Sequence, residues 1–335
     1  MLSCKDLKVW YPIRRGILNR VAGHVRAVDG VSLSIEKGET LGLVCESGCG
    51  KTTLGRALIG LEPVAGGTIE LDGKPIDSLK GKEKKDARRN LQMVFQDPFS
   101  SLDPRMSALE IVTEGLDAFR LYRPGETREQ AAIRLMQEVG LDPESRYRYP
   151  HEFSGGQRQR LSIARAISME PEFIVCDEPV SALDVSVQAQ IIKLLIALRE
   201  QHHLSYLFIS HDLSVVRLIA QKVAVMYLGR IVEFGTAQSV LTTPLHPYTQ
   251  ALVSAIPVPG KSSRANRILL PGELPSPANP PNGCAFHTRC PHARPECSAT
   301  RPELQNAAAP DDPFRQVACP FATNGDDKSV PLSED

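Results

Sequence analysis

The stretch Cys45, Glu46, Ser47, Gly48, Cys49, Gly50, Lys51, Thr52 constrains this chain more than any other. It follows the apolar run 40–44, which reads as a buried strand, and precedes a helical pattern over 53–59. A strand, a glycine loop and a helix in that order turn backbone N–H groups inward. They also add the positive end of a helix dipole, which makes a cradle for a polyphosphate. In the pattern G-x-x-x-x-G-K-[ST] the lysine, here Lys51, reaches the β- and γ-phosphates, and the hydroxyl of Thr52 goes to Mg²⁺. Cys45 replaces the first glycine. A side chain there costs about 1–2 kcal/mol if the backbone is left-handed, and much less otherwise. A chance glycine-rich turn is the plain alternative, outweighed by strand, loop and helix standing in order.

A chain of 335 residues can hold one large domain with an appendage, or two domains. Its formal net charge of zero argues against a nucleic-acid binder, which needs a basic stripe. The Lys/Arg cluster at 80–89 is interleaved with acids and reads as a solvated surface loop. No apolar run approaches the ~20 residues needed to cross a bilayer, and the start has no signal-peptide core, so a cytoplasmic protein is expected. In that compartment the eight cysteines are expected as thiols or metal ligands rather than disulfides. Cys45 and Cys49 flank the phosphate-binding amides, where a helix N-terminus lowers a thiol pKa; alkylation there is expected to block the loop and a bound polyphosphate to protect it.

Taken in order, 2–11 alternates as an edge strand ending at Trp10 and Tyr11, where an aromatic can stack on a purine or simply pack. Residues 25–35 alternate with period two, and 67–76 form a hairpin marked by Asp72-Gly73. These small antiparallel strands are placed beside the nucleotide-binding core. A short strand at 91–95 ends at Gln96, whose amide can face a γ-phosphate and Mg²⁺ or merely form a turn. From 107 to 149 the pattern is helical. Thr127 and Gln130 have capping-box spacing, and Ala132, Leu135, Met136 and Val139 share a face, which predicts a helical lobe.

Ser154, Gly155, Gly156 and Gln157 repeat the capping-box spacing, with glycines exposing the first N–H groups of a helix; a second anion site is expected. The apolar strand 172–176 ends in Asp177 and Glu178. An aspartate in that position holds Mg²⁺, and the adjacent glutamate is placed to polarise water as general base. Alone, such an acidic pair would be a solvated turn. The strand 204–209 runs into His211, at the carboxyl edge of a sheet, where open α/β sheets bind ligands. Residues 222–235 read as a meander turning at Gly229-Arg230, and the Pro, Ser and Asn beyond Pro257 as a linker or domain boundary.

Together these residues resemble the ATP-binding subunits of ABC transporters, over residues 2–322. The matching set is the A-loop aromatic Tyr11, Walker A from Cys45 to Thr52 continuing into Thr53, Q-loop Gln96, signature Ser154 to Gln157, Walker B 173–177 with Glu178, the D-loop 181–184 ending at Asp184, and switch His211. Phe153 stands where many members carry leucine. The tail segments 246–252, 272–277 and 283–290 make the chain similar to the second ATPase subunit of dipeptide and oligopeptide importers, the dipeptide F type. Nickel, glutathione and antimicrobial-peptide uptake systems use similar subunits.

The resemblance implies an α/β, ABC-type P-loop ATPase domain over 1–256, with an antiparallel β subdomain and a helical subdomain over 100–168. A Cys-rich C-terminal extension follows over 257–322, and a disordered tail over 323–335. It implies ATP as substrate, with Thr52, Gln96 and Asp177 around Mg²⁺ and Glu178, His211 and Gln96 as catalytic residues. Two such chains face each other head to tail, each ATP clamped between the Walker A of one and the signature of the other. The expected partners are a different, homologous ATPase chain, two permease subunits and an extracytoplasmic substrate-binding protein. The expected location is peripheral, at the cytoplasmic face of the membrane. A soluble ABC ATPase acting on ribosomes or DNA is the reading from another class.

Cys284, Cys290, Cys297 and Cys319 lie in a Pro-rich segment that reads as too polar to form much core. Four thiolates suit tetrahedral zinc or an iron–sulfur cluster; the two-residue spacing of a zinc knuckle is absent, and His287 and His292 are spare donors. The resemblance implies a [4Fe-4S] cluster.

Overall fold

A computed structural model describes residues 1–16, 19–256, 267–307, 311–324 and 328–329. The chain divides into two compact units: Met1–Ser34, Thr40–Asp77 and Ser210–Asp335 in the first, Ile35–Glu39 and Ser78–Ile209 in the second. The boundary expected beyond Pro257 lies outside the described residues.

The first unit carries an antiparallel sheet in which Leu2–Arg15 lies between Arg20–Ile35 and Gly66–Leu71, with Lys74–Pro75 at the far side. Leu2–Arg15 is therefore an interior strand and not the edge strand its alternation suggested, because period two reports one buried face and says nothing about neighbours. The proline takes an outer position, where no ladder donor is needed. A bulge between Lys5 and Lys8 shifts the alternation by one residue, so Leu2 and Cys4 before it and Leu7 and Val9 after it all face inward. Opposite the bulge stands Gly67 at φ 86, where a Cβ would come within 2.4 Å of the Asp6 carbonyl oxygen. The expected Asp72-Gly73 turn forms, both residues at positive φ as a two-residue hairpin requires.

The unit's second sheet begins with Thr40–Val44, buried throughout and parallel to Lys222–Tyr227. Arg230–Thr236 follows antiparallel, turning at Leu228 and Gly229, one residue earlier than expected, with both at positive φ. The tail adds Gln316–Val317 and Gln305–Asn306 beyond that strand. The segment expected to form little core is thus part of the core. Val317 is fully buried beside Leu245, Ala307 and Ala322, and Phe286 stacks edge-on against Tyr227. Its polarity is accommodated by pairing: buried Arg315 meets buried Glu233, whose carboxylate also accepts from the N–H groups of Leu245 and His246. Of the stretch 323–335, expected as a disordered tail, Thr323–Asn324 and Lys328–Ser329 are described and pair antiparallel; the rest lies outside the described residues.

In the second unit Ser205–Ser210, Phe173–Asp177 and Leu91–Val94 form a parallel sheet. Its helices include Gly81–Asn90, Ala108–Phe119, Arg128–Glu138, Gly155–Ile167 and Val185–His202. Gly81–Asn90 is the basic cluster expected as a loop; it is helical and buries none of its side chains, so composition described its solvation and missed its backbone. The capping box of Thr127 and Gln130 forms as spaced, and a second joins Ser107 and Glu110. Among the described residues no helix is long and apolar enough to cross a membrane.

Candidate functional site

In the first unit the chain leaves the strand Thr40–Val44, passes through the glycine loop and enters the helix Lys51–Leu58. Gly48 and Gly50 take φ values of 84 and 106°, and a Cβ at Gly50 would stand 2.0 Å from the Ala27 carbonyl oxygen. Only glycine fits there. Cys45 is absent from the positive-φ residues, so the cysteine in place of the first glycine carries no left-handed strain. Lys51 is buried, and its Nζ donates to the carbonyls of Cys45 and Glu46 at 3.0 and 3.2 Å, which holds the ammonium over the loop. Thr52 is the second residue of the helix, and no acidic residue in the first turn offsets the positive end of the helix dipole. Ser47 is exposed. The cradle, the lysine and the hydroxyl are the donor set expected for a magnesium-bound nucleoside triphosphate.

Cys45 and Cys49 correct an expectation. They are joined in a disulfide, with Cα atoms 6.5 Å apart, where free reactive thiols were expected. Gly48 at φ 84 turns the chain back on itself, bringing two residues four apart within pairing distance.

Tyr11 is half-buried on Leu2–Arg15. Burial raises its pKa, and Glu62 adds to the rise, while the hydroxyl also meets Thr53 at the start of the helix. Tyr11, the expected A-loop aromatic, thus stands beside the helix Lys51–Leu58. His211 is exposed just after Ser205–Ser210.

The second unit brings Gln96, Asp177, Glu178 and the D-loop together. Asp177 is buried at the end of Phe173–Asp177. Glu178 follows at φ 44, a conformation that costs a non-glycine residue about 1–3 kcal/mol. Its N–H donates to the Ile209 carbonyl at 3.0 Å, and its carboxylate accepts from the Gln96 amide at 3.0 Å. Ser181 donates to the Glu178 carbonyl, and Gln188 holds the carbonyls of Val180 and Leu183. Exposed Asp184 then leads into Val185–His202. A carboxylate held by a neutral amide and kept partly accessible is suited to accept a proton from water.

At the signature, Ser154 and Gln157 form the expected capping box, with Gln157 N–H donating to Ser154 Oγ at 3.3 Å. Phe153, in the leucine position, is buried. The glycines have a further reason. A Cβ at Gly156 would lie 2.6 Å from Val187 Cγ1 and one at Gly155 3.4 Å from Leu183 Cδ2, so they admit the D-loop and its helix against this helix end.

The four tail cysteines line one pocket of about 100 Å³ together with His287 and His292, and none is in a disulfide. Burial raises the pKa of Cys284, Cys290 and Cys319, the last to about 11, and the neighbouring cysteines add to each rise. Such thiols stay protonated unless a cation joins them. Among the described residues no group of three or more His, Cys, Asp or Glu is arranged to hold a metal ion. That holds for zinc and for an iron–sulfur cluster alike, since either would draw on the same four thiols.

Sequence reasoning missed Tyr248, whose hydroxyl accepts from the Glu46 N–H at 2.8 Å, and Arg289, whose guanidinium grips the Glu46 carboxylate. No spacing rule links positions about 200 and 240 residues apart.

Two family models match: the ABC transporter over residues 28–181, and the oligopeptide/dipeptide transporter C-terminal region over 232–297. The oligopeptide transport ATP-binding protein AppF of Bacillus subtilis is 53% identical over 95% of this chain and 96% of its own. OppF of Salmonella typhimurium, an oligopeptide transport ATP-binding protein, is 50% identical over 92% of this chain and 93% of its own. The dimeric, post-hydrolysis structure of the ATP-binding cassette MJ0796 with ADP and Pi superposes with a TM-score of 0.62 at 26% identity, over 71% of this chain and 99% of that one.

Proposed function

The chain belongs to the ABC transporter ATP-binding family, and from that premise we propose that it is the subunit that hydrolyses ATP to energise import of oligopeptides or dipeptides. It is an ATPase with the cassette fold. The observation that carries the peptide reading is the joint presence, in one chain, of the phosphate loop and the importer-type C-terminal region at 232–297.

The roles follow from the chain's own groups. Lys51 and the amides of the loop bind the β- and γ-phosphates, Thr52 offers its hydroxyl to Mg²⁺, and Tyr11 stacks on the base. In the second unit Asp177 serves Mg²⁺, Gln96 orients Glu178, and Glu178 takes the proton of the attacking water. Bound Mg²⁺ neutralises charge that develops on the phosphates. His211 contacts the γ-phosphate. Ser154 to Gln157 and Asp184 serve the nucleotide of a partner ATPase chain, different but homologous, so turnover requires two chains. Two permease subunits and an extracytoplasmic binding protein complete the machine, with this chain peripheral at the cytoplasmic face. Cys284, Cys290, Cys297 and Cys319 are the candidate ligands of a [4Fe-4S] cluster, supported by four free thiols on one pocket wall.

The test is co-purification, under anaerobic conditions, with a homologous ATPase chain and permease subunits co-expressed with it, followed by ATPase assays in lipid. Binding protein loaded with peptide is expected to raise turnover, and the chain to contain iron and acid-labile sulfide. A complex stimulated by no peptide sinks the substrate assignment, and an iron-free chain sinks the cluster.

A further inference from the structure

We propose that Arg289 of the tail is a positioning residue of the ATP site, acting through Glu46 of the phosphate loop. This rests on the assignment of residues 45–52 as that loop.

Arg289 is buried, 7% exposed, between Cys284 and Cys290. Its Nη1 and Nη2 donate to the two oxygens of Glu46 at 2.8 and 3.3 Å, a two-pronged ion pair, and its Nε donates to the Pro271 carbonyl at 3.2 Å. Glu46 is held at its backbone too, since its N–H donates to Tyr248 Oη. Tyr248 packs against Phe286, another residue of the cysteine loop, at 5.4 Å between ring centroids. The carbonyl of Glu46 in turn accepts from Lys51 Nζ. One loop residue is thus fastened to the tail by its carboxylate and its amide, and to the phosphate-binding lysine by its oxygen.

The consequence is energetic. A charge-assisted pair in which the guanidinium is buried and the carboxylate only 31% exposed is stronger than a fully exposed one, and its geometry is set by the planar fork of the guanidinium. Without Arg289 the Glu46 carboxylate turns to solvent, and the loop must be ordered again each time nucleotide binds. That ordering weakens ATP binding and leaves the chemical step, carried by Glu178, much less affected. Coupling is reciprocal: if the tail tightens ATP, ATP steadies the tail.

The experiment uses the full chain in its assembled transporter, with KM for ATP and kcat measured separately. Arg289→Gln, which keeps a donor for Pro271, is expected to raise KM about tenfold, equivalent to about 1.4 kcal/mol, with a smaller change in kcat. Glu46→Gln should match it, and the double variant should be no worse than either single one, because both remove the same interaction. A wild-type KM in folded Arg289→Gln, or additive effects in the double variant, overturns the proposal. If Arg289→Gln does not fold, Glu46→Gln decides, a tenfold rise supporting the proposal and an unchanged KM refuting it. Lys51→Ala is the separate control: nucleotide binding at wild-type strength there removes the phosphate-loop assignment itself, and with it this proposal.

Discussion

Glu178 shows what a single residue contributes and what hides it. The carboxylate sits on a left-handed backbone at φ 44, pinned by its own N–H to Ile209 and by Gln96 to its side chain. That strain holds the group at the end of Phe173–Asp177, where a relaxed turn would let it swing away. Glu178→Gln keeps the shape and removes the proposed base, so ATP binding should persist while turnover falls by at least about 100-fold. Single-turnover and binding assays on the variant check this; turnover near wild type would mean another group accepts the proton. Its identity as a candidate was legible from the Asp-Glu pair after an apolar strand. The left-handed backbone was not, since a glutamate carries no signal for it. Cys45 is the reverse case: its sequence suggested strain, and the structure places the positive φ at Gly48 and Gly50 instead.

Among the elements, the signature helix Gly155–Ile167 was read correctly at its cap and incompletely at its glycines. Their φ values are ordinary, so conformational freedom is not why they are there. The space between this helix and Val185–His202 is. Val187 is β-branched and has little freedom to move aside, so a methyl at Gly156, 2.6 Å from its Cγ1, must displace a helix. Gly156→Ala is expected to cost about 1–3 kcal/mol, as overpacking does. Gly155→Ala, with 3.4 Å to a more mobile leucine tip, should cost clearly less. Thermal melting of the two variants side by side checks the order, and equal midpoints would dismiss the packing argument.

At the scale of the whole molecule, the tail belongs to the first unit's core, and stability should show it. His246 is buried, and its Nδ1 accepts from the Tyr248 N–H at 3.1 Å, which caps the helix Pro247–Ser254. Burial pushes its pKa down to about 3 from the usual 6.5. The unfolded chain takes up a proton below about pH 6.5 that the folded chain refuses, so stability is complete above that value and declines as pH falls toward 3. His246→Asn retains a capping acceptor and should flatten this part of the curve. Urea midpoints between pH 5 and 7, wild type against variant, read the difference; parallel slopes would assign the acid sensitivity elsewhere.

The sequence alone determined the order of strand, glycine loop and helix, the acidic pair and the capped signature, because each depends on residues within a few positions of one another. Local spacing sets backbone hydrogen bonds, caps and turns, and those are physical facts of the chain before it folds. What only the tertiary structure decided involves partners far apart along the chain. These are the interior place of Leu2–Arg15, the tail strands beside Arg230–Thr236, Arg289 on Glu46 and Val187 over Gly156. Such contacts depend on which surfaces meet once apolar area is withdrawn from water, and no periodicity along the chain records that choice.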